Sequence, residues 1–290
     1  MKHEVAVIDH MDAGEGIRGA LNALGDISGL FRHRHVAIKP NETWAAEDDK
    51  TACTQAESLR EVIRYIKAFS PAEITVTGGS GAGETDHIFS VLGLDEVIRE
   101  EKVGFVDHNR PSFREVPLRH GPQKSVIVNE KILRYETLVS LAQLKVHDLA
   151  DVTLTLKNIA MSYPAAGYYG YPRKKRKHDH LFFDDIHSFI PAMCEIFPVD
   201  VGIITGYPAM TEKGPIGGHT FNAGITIAST DPVAADMTGA RVLGVSRPRH
   251  VIKAAELGLG TIDPDRTYYT ALTPEQARRV FLEREGNRGR

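Results

Sequence analysis

Leu144-Lys145-Val146-His147, followed by Thr153-Leu154-Thr155-Leu156-Lys157-Asn158, puts two lysines, an imidazole, two hydroxyls and an amide into an otherwise apolar stretch. A lysine ammonium among apolar side chains costs free energy unless it is paired. Such a lysine can bind a carboxylate or phosphate, or with a lowered pKa act as a base or Schiff-base nucleophile. His147 could be a general acid or a ligand, although a lone histidine is more often structural. Val152–Ile159 is expected to be a helix, while its threonines and leucines would also suit a strand. In a helix, Thr153 and Lys157 share a face by i, i+4 spacing. Lys157, His147 and Lys145 are therefore the candidate catalytic residues, with Thr155 and Asn158 as ligand contacts. Lys157 has two readings: a structural pair with Asp231 or Asp236, or a ligand contact in a cleft shared with Lys145 and His147. The shared face and the density of polar residues favour the second.

Other segments offer further chemistry. Lys39-Pro40-Asn41 closes an apolar run, Val36–Ile38, that reads as a strand. Ligands of open α/β sheets bind beyond the carboxyl ends of strands, so Lys39 and Asn41 stand at a productive edge; the bland alternative is a strand-end lysine in solvent. Thr77-Gly78-Gly79-Ser80-Gly81-Ala82-Gly83-Glu84-Thr85 lies between a strand and a helix. It is one residue away from a P-loop, but Glu84 stands where the phosphate-binding lysine belongs and would repel phosphates. Gly79, Ser80 and Gly81 could instead hold a smaller anion on their backbone N–H groups, and a tight connection explains the glycines equally well. Gly217 belongs to Gly214-Pro215-Ile216-Gly217-Gly218-His219, which precedes a strand–helix unit. There Asp231 makes a sound N-cap before Pro232, whereas Asp236 has no such explanation.

Arg173-Lys174-Lys175-Arg176-Lys177-His178-Asp179-His180 reads as a solvated loop, or as a mobile positive lid that an anionic ligand would order. His178 and His180, with Asp184 or Asp185 nearby, are candidates for a divalent metal, although a closed site needs three or four ligands.

The elements that must position these groups follow from periodicity. Val5–Ile8, Val36–Ile38, Ile74–Thr77, Gly104–Val106, Val126–Val128, Leu138–Leu144, Val201–Thr205 and Gly224–Ala228 read as strands. Leu59, Val62, Ile63 and Ile66 fall on one helical face behind a capping-box pattern at Thr54 and Glu57. Phe182–Phe197, Pro232–Leu243 and Pro274–Arg284 complete the expected helices, and Ser162–His180 is expected to be a long loop. Strands alternating with helices imply an α/β fold, Rossmann-like, with a mainly parallel or mixed sheet flanked by helices. Val5–Ile8, Val36–Ile38 and Ile74–Thr77 are expected to be neighbours in it. The 290 residues suit one domain, 1–290, with two closely joined lobes, 1–135 and 136–290, as the alternative.

Composition narrows the function. A net charge of −3 gives no global pull toward nucleic acid or acidic membranes. No apolar stretch approaches the ~20 residues that cross a bilayer, and a cytoplasmic protein is expected. Two cysteines, Cys53 and Cys194, cannot supply a Cys₄ iron–sulfur or zinc site and read as buried thiols.

Ile38-Lys39-Pro40-Asn41, Gly79-Ser80-Gly81, the Lys145 and Lys157 segments, Gly214–Gly217 and Ser229–Asp236 together resemble the domain of unknown function 362 family, from about Val36 to Gly260. The resemblance implies one cleft for Lys39, Lys145, His147, Lys157 and Asn158. Ala142-Gln143 replace a Pro-Lys pair common in that family, Thr205 replaces an acidic residue, and the ferredoxin-like clusters of many relatives are missing. A fainter similarity of architecture is to lactate racemase-like proteins, which hold a nickel pincer cofactor through a lysine and histidines. That similarity singles out Lys145, Lys157, His147 and His178. The leading expectation is an enzyme acting on a small anionic molecule, carboxylate or phosphate, by proton transfer. A non-catalytic small-molecule or metal carrier, a metal-cofactor racemase or oxidoreductase, and, last, a nucleic-acid binder through Arg173–Lys177 are the rivals. Oligomeric state is left open.

Overall fold

A computed structural model describes residues 3–170 and 184–287. Twelve strands lie among them: β1 His3–Asp9, β2 His35–Pro40, β3 Glu73–Gly78, β4 Gly104–Asp107, β5 Phe113–Pro117, β6 Ser125–Asn129, β7 Thr137–His147, β8 Asp151–Thr153, β9 Val201–Thr211, β10 His219–Phe221, β11 Ile225–Ser229 and β12 Thr267–Ala271. Ten form one mixed sheet in the order β12-β1-β11-β9-β7-β2-β3-β4, with β8 added to β7 and β10 to β9. β9, β7, β2, β3 and β4 run parallel, and β11 is antiparallel to both its neighbours. β5 and β6 make a separate antiparallel pair.

Within the parallel half, β9, β7, β2 and β3 are buried almost throughout, as a doubly covered sheet requires, and β4 is its more exposed edge. In β2, Val36 and Ile38 join one core cluster and Ala37 joins another, the period-two alternation of a strand. Helix Ala56–Lys67 covers the first face with Leu59, Val62, Ile63 and Ile66. Leu156, Ile159, Phe189, Ile190 and Met193 cover the second. Helix Pro232–Leu243 has the expected bounds, because the Asp231 side chain caps it and Gly244 ends it in a left-handed turn. No helix among the described residues is long and apolar enough to cross a membrane.

Several expectations are corrected. β2 and β3 are neighbours, but β1 lies between β11 and β12, because β1 pairs with strands from the end of the chain. The capping box at Thr54 does not form; Gln55 is the N-cap residue, and the Thr54 hydroxyl donates to the Leu141 carbonyl. Val152–Ile159 is not one helix. It divides into β8, held antiparallel on β7, and helix Thr155–Ala160. The shared helical face of Thr153 and Lys157 is therefore absent. Of the Ser162–His180 loop, residues 162–170 include the short helix Ala166–Tyr169, and Arg173–His180 lies outside the described residues.

A dinucleotide-like spacing also follows β1: Gly14-x-Gly16-x-x-Gly19 in helix Ala13–Asn22. Packing accounts for it. A Cβ on Gly16 would stand 2.4 Å from the Tyr207 hydroxyl, and the Asp12 side chain already accepts from the Glu15 N–H at the helix start.

Candidate functional site

From β2 the chain builds β3 and β4 on one side, then returns as β7 on the other side of β2. The crevice beyond such a reversal of strand order is where α/β sheets bind ligands. A cavity of about 160 Å³ opens there. Its described walls are Lys39, Asn41 and Glu42 after β2, Gly79–Ala82 after β3, His147, Leu149 and Thr153 from β7 and β8, and Lys157, Asn158, Met161 and Ser162 from the helix beyond. Thr43, Trp44, Pro215 and Ile216 complete them.

The β2 wall is closed on itself. Lys39, buried, donates to the Pro40 carbonyl at 2.6 Å, to the Glu42 carboxylate, and to Asn158 Oδ1 at 3.3 Å. Glu42 Oε1 accepts the Gly79 N–H at 2.8 Å, so the glycine turn already holds a carboxylate from within the chain. A Cβ on Gly79 would come within 2.9 Å of the Ser162 carbonyl, a close approach that only glycine allows. Asn158 donates back to the Lys39 carbonyl and to Ser140. Sequence reasoning passed over Glu42, although an acid three residues after a strand-end lysine was a legible pairing signal.

Lys145 and Thr155 do not line the cleft. Lys145, fully buried, donates to the Ala52 and Pro215 carbonyls, and burial pushes its pKa down to about 8. Thr155 gives its N–H and hydroxyl to Asp236, which also accepts the Leu156 N–H. Asp236 thus has the structural explanation that the sequence lacked. Its pKa is pushed up to about 7 by burial, against the pull of those hydrogen bonds. Asp231 is engaged by the Ala234 and Thr261 N–H groups and by His3. Lys157, in helix Thr155–Ala160, lines the cleft. Gly217, left-handed at φ 70°, stands just outside the wall that Pro215 and Ile216 form.

His147 is fixed in one tautomer. Its Nδ1 accepts the Leu149 N–H at 3.1 Å and the Ala150 N–H at 3.2 Å. Backbone N–H groups can only donate, so the imidazole proton resides on Nε2. A metal-bound histidine ordinarily donates its other ring N–H to an outer partner, whereas coordination through Nε2 would here leave Nδ1 accepting two backbone N–H groups. No group of three or more His, Cys, Asp or Glu among the described residues could hold a metal ion. His178 and His180, the candidate metal ligands, lie outside the described residues. Both cysteines are free and buried.

Two buried polar atoms of the wall have no hydrogen-bond partner, Asn41 Oδ1 and Thr153 Oγ1. Behind the glycine turn, His108 bonds Thr77 through Nε2, and Thr77 bonds Tyr135. Burial, with the nearby Lys39 charge, holds the His108 pKa well below its usual range, so this ring is neutral. The sequence reading did not single out His108.

A model of the family described as Domain of unknown function (DUF362) matches residues 36–241. No curated protein matches the chain. Among solved structures, the lactate racemase apoprotein from Thermoanaerobacterium thermosaccharolyticum is similar at 13% identity and a TM-score of 0.49, covering 82% of this chain and 55% of that one. A structural-genomics protein from Thermotoga maritima is similar at 14% identity and a TM-score of 0.39, with 84% and 57% covered. The chain spans little more than half the length of either.

Proposed function

We propose that this chain, which belongs to the DUF362 family, acts on a small anionic molecule in the cleft beyond β2, β3 and β7. The carrying observation is that Lys157, His147 and the Lys39–Glu42 pair stand on the wall of one cavity beyond the carboxyl ends of parallel strands. Two lysines and one glutamate line it, and Lys39 with Glu42 forms one neutral pair. Lys157 stands on the same wall, placed where α/β sheets receive ligands. A carboxylate or phosphate oxygen is the partner such a group selects.

In this reading Lys157 binds the anion and carries the proton that the reaction moves. His147, neutral with its proton on Nε2, serves as a fixed hydrogen-bond donor to an oxygen on which negative charge builds. Lys145 holds loops and does no chemistry. Thr153 and Asn41, with their unpartnered oxygens, accept hydrogen bonds from a hydroxyl or amine of the same molecule.

A panel of small carboxylates and phosphates, read by thermal unfolding, tests this. A ligand at 100 times its Kd stabilises the fold by about 2.7 kcal/mol. The expected result is a saturable rise in Tm that Lys157→Met removes. A rise of equal size in that variant would overturn the assignment of Lys157.

A further inference from the structure

We infer that the molecule taken by this cleft is a short-chain diol or polyol, with one hydroxyl bonded to Asn41 and a second to Thr153. The inference rests on the cleft being the ligand site, as proposed above, and draws on neither Lys157 nor His147. Asn41 and Thr153 both line the cavity and are almost wholly buried, at 3% and 2% exposure. Asn41 Oδ1 and Thr153 Oγ1 nonetheless have no hydrogen-bond partner among the described residues. Buried polar atoms left without a partner are destabilising, and native chains keep few of them.

Turning the Asn41 amide over does not remove the need. Asn158 donates to the Lys39 carbonyl at 2.9 Å and to the Ser140 hydroxyl at 3.1 Å, which fixes its own amide. Its Oδ1 then faces Asn41 Nδ2 at 3.4 Å, and Asn41 is left with an acceptor to offer. Thr153 can accept and donate. The sheet sets the two apart. β2 and β8 share one edge of β7, because β9 pairs with its other edge at both levels. Pro40 stands opposite Leu141 and Thr153 opposite Lys145. Asn41 follows Pro40, so about three residues of strand, ~10 Å, separate Asn41 from the level of Thr153. At that spacing each oxygen is served most directly by its own hydroxyl.

The surroundings favour hydroxyls over ammonium groups. Glu42 is the one carboxylate among the described residues that line the cavity, and Lys39 and the Gly79 N–H hold it. An ammonium would be buried there without a counter-charge, whereas a hydroxyl needs none. Size limits the rest. The cavity, about 160 Å³, is close to the ~150 Å³ engineered cavity that holds benzene, which suits a chain of about four carbons. Trp44 and Leu149 give its C–H groups an apolar wall.

Calorimetric titrations at constant ionic strength with butanoate, racemic 3,4-dihydroxybutanoate, 4-aminobutanoate and erythritol make the test. The dihydroxy acid is expected to bind at least tenfold more tightly than butanoate and than 4-aminobutanoate. Thr153→Val keeps the branched shape in β8 and removes a hydroxyl that bonds no described residue, so its unfolding midpoint should match wild type. In that variant the preference over butanoate is expected to shrink at least fivefold. Equal affinity for butanoate and the dihydroxy acid, or a preference that Thr153→Val leaves intact, would overturn this inference and leave the anion site standing. 4-Aminobutanoate binding as tightly as the dihydroxy acid would overturn the choice of hydroxyls. Erythritol binding as tightly as the dihydroxy acid would support this inference and overturn the anion reading. Binding of none of the four would overturn both.

Discussion

The wall after β2 and the wall after β8 meet at one cleft but are held on different plans. On the first, the lysine is enclosed: Lys39 donates to the Pro40 carbonyl and to Glu42, and Glu42 in turn receives the Gly79 N–H. Charge there serves the shape of the glycine turn. On the second, the buried carboxylate Asp236 is engaged by the Thr155 N–H and hydroxyl and by the Leu156 N–H, so it fixes the start of a helix. Lys157 reaches the cleft from that helix.

The comparison breaks first at Glu42. Replacing one partner of a buried pair strands the other, and Glu42→Ala is expected to cost about 3–5 kcal/mol in urea unfolding. A cost below about 1 kcal/mol would show that the pair does not hold the turn.

Asp236 sharpens the second wall. A carboxyl whose pKa is raised to about 7 in the folded chain binds its proton more tightly there than when unfolded. Its contribution to stability is full below the ordinary carboxyl range near pH 4 and is lost as pH rises through about 7. Asp236→Asn is expected to flatten that slope. At pH 5 it should cost about 1–3 kcal/mol, because an amide nitrogen, unlike a carboxyl oxygen, cannot accept a backbone N–H. An unchanged slope would remove Asp236 as its source.

Lys145 gives a smaller effect of opposite sign. Its pKa is lowered to about 8 from an ordinary value of 10.5, so the folded chain favours the neutral amine. Stability should rise as pH climbs from about 8 to 10.5, and Lys145→Met should abolish the rise. The variant also loses two hydrogen bonds to carbonyls, each worth ~1 kcal/mol. Chemical denaturation at pH 7.5 and pH 10 would check both points.

How much of this was legible follows from the same residues. β2 and β3 could be read because apolar runs buried on both faces have few alternatives. Helix Pro232–Leu243 could be read at both ends because Asp231 and Gly244 mark them. The convergence of Lys39, His147, Lys157 and Asn158 on one cleft was expected from the motifs. Lys145 could not be separated from that group, since its partners Ala52 and Pro215 lie far away in the chain. Val152-Thr153 went to a strand because β7 offered an edge to pair with, a tertiary effect that overrides helical spacing. The tautomer of His147 depends on a turn three residues long, and no residue pattern announces it.

Lys157 carries the smallest expected effect on stability and the largest on binding. The direct test is calorimetric titration of a small carboxylate into wild-type protein and into Lys157→Met, with the unfolding midpoint of each measured alongside. Saturable one-to-one binding that weakens at least tenfold in the variant, with stability within about 1 kcal/mol of wild type, is the predicted result. A variant that binds the carboxylate as tightly as wild type, or that unfolds, would contradict it and make Lys157 a structural residue.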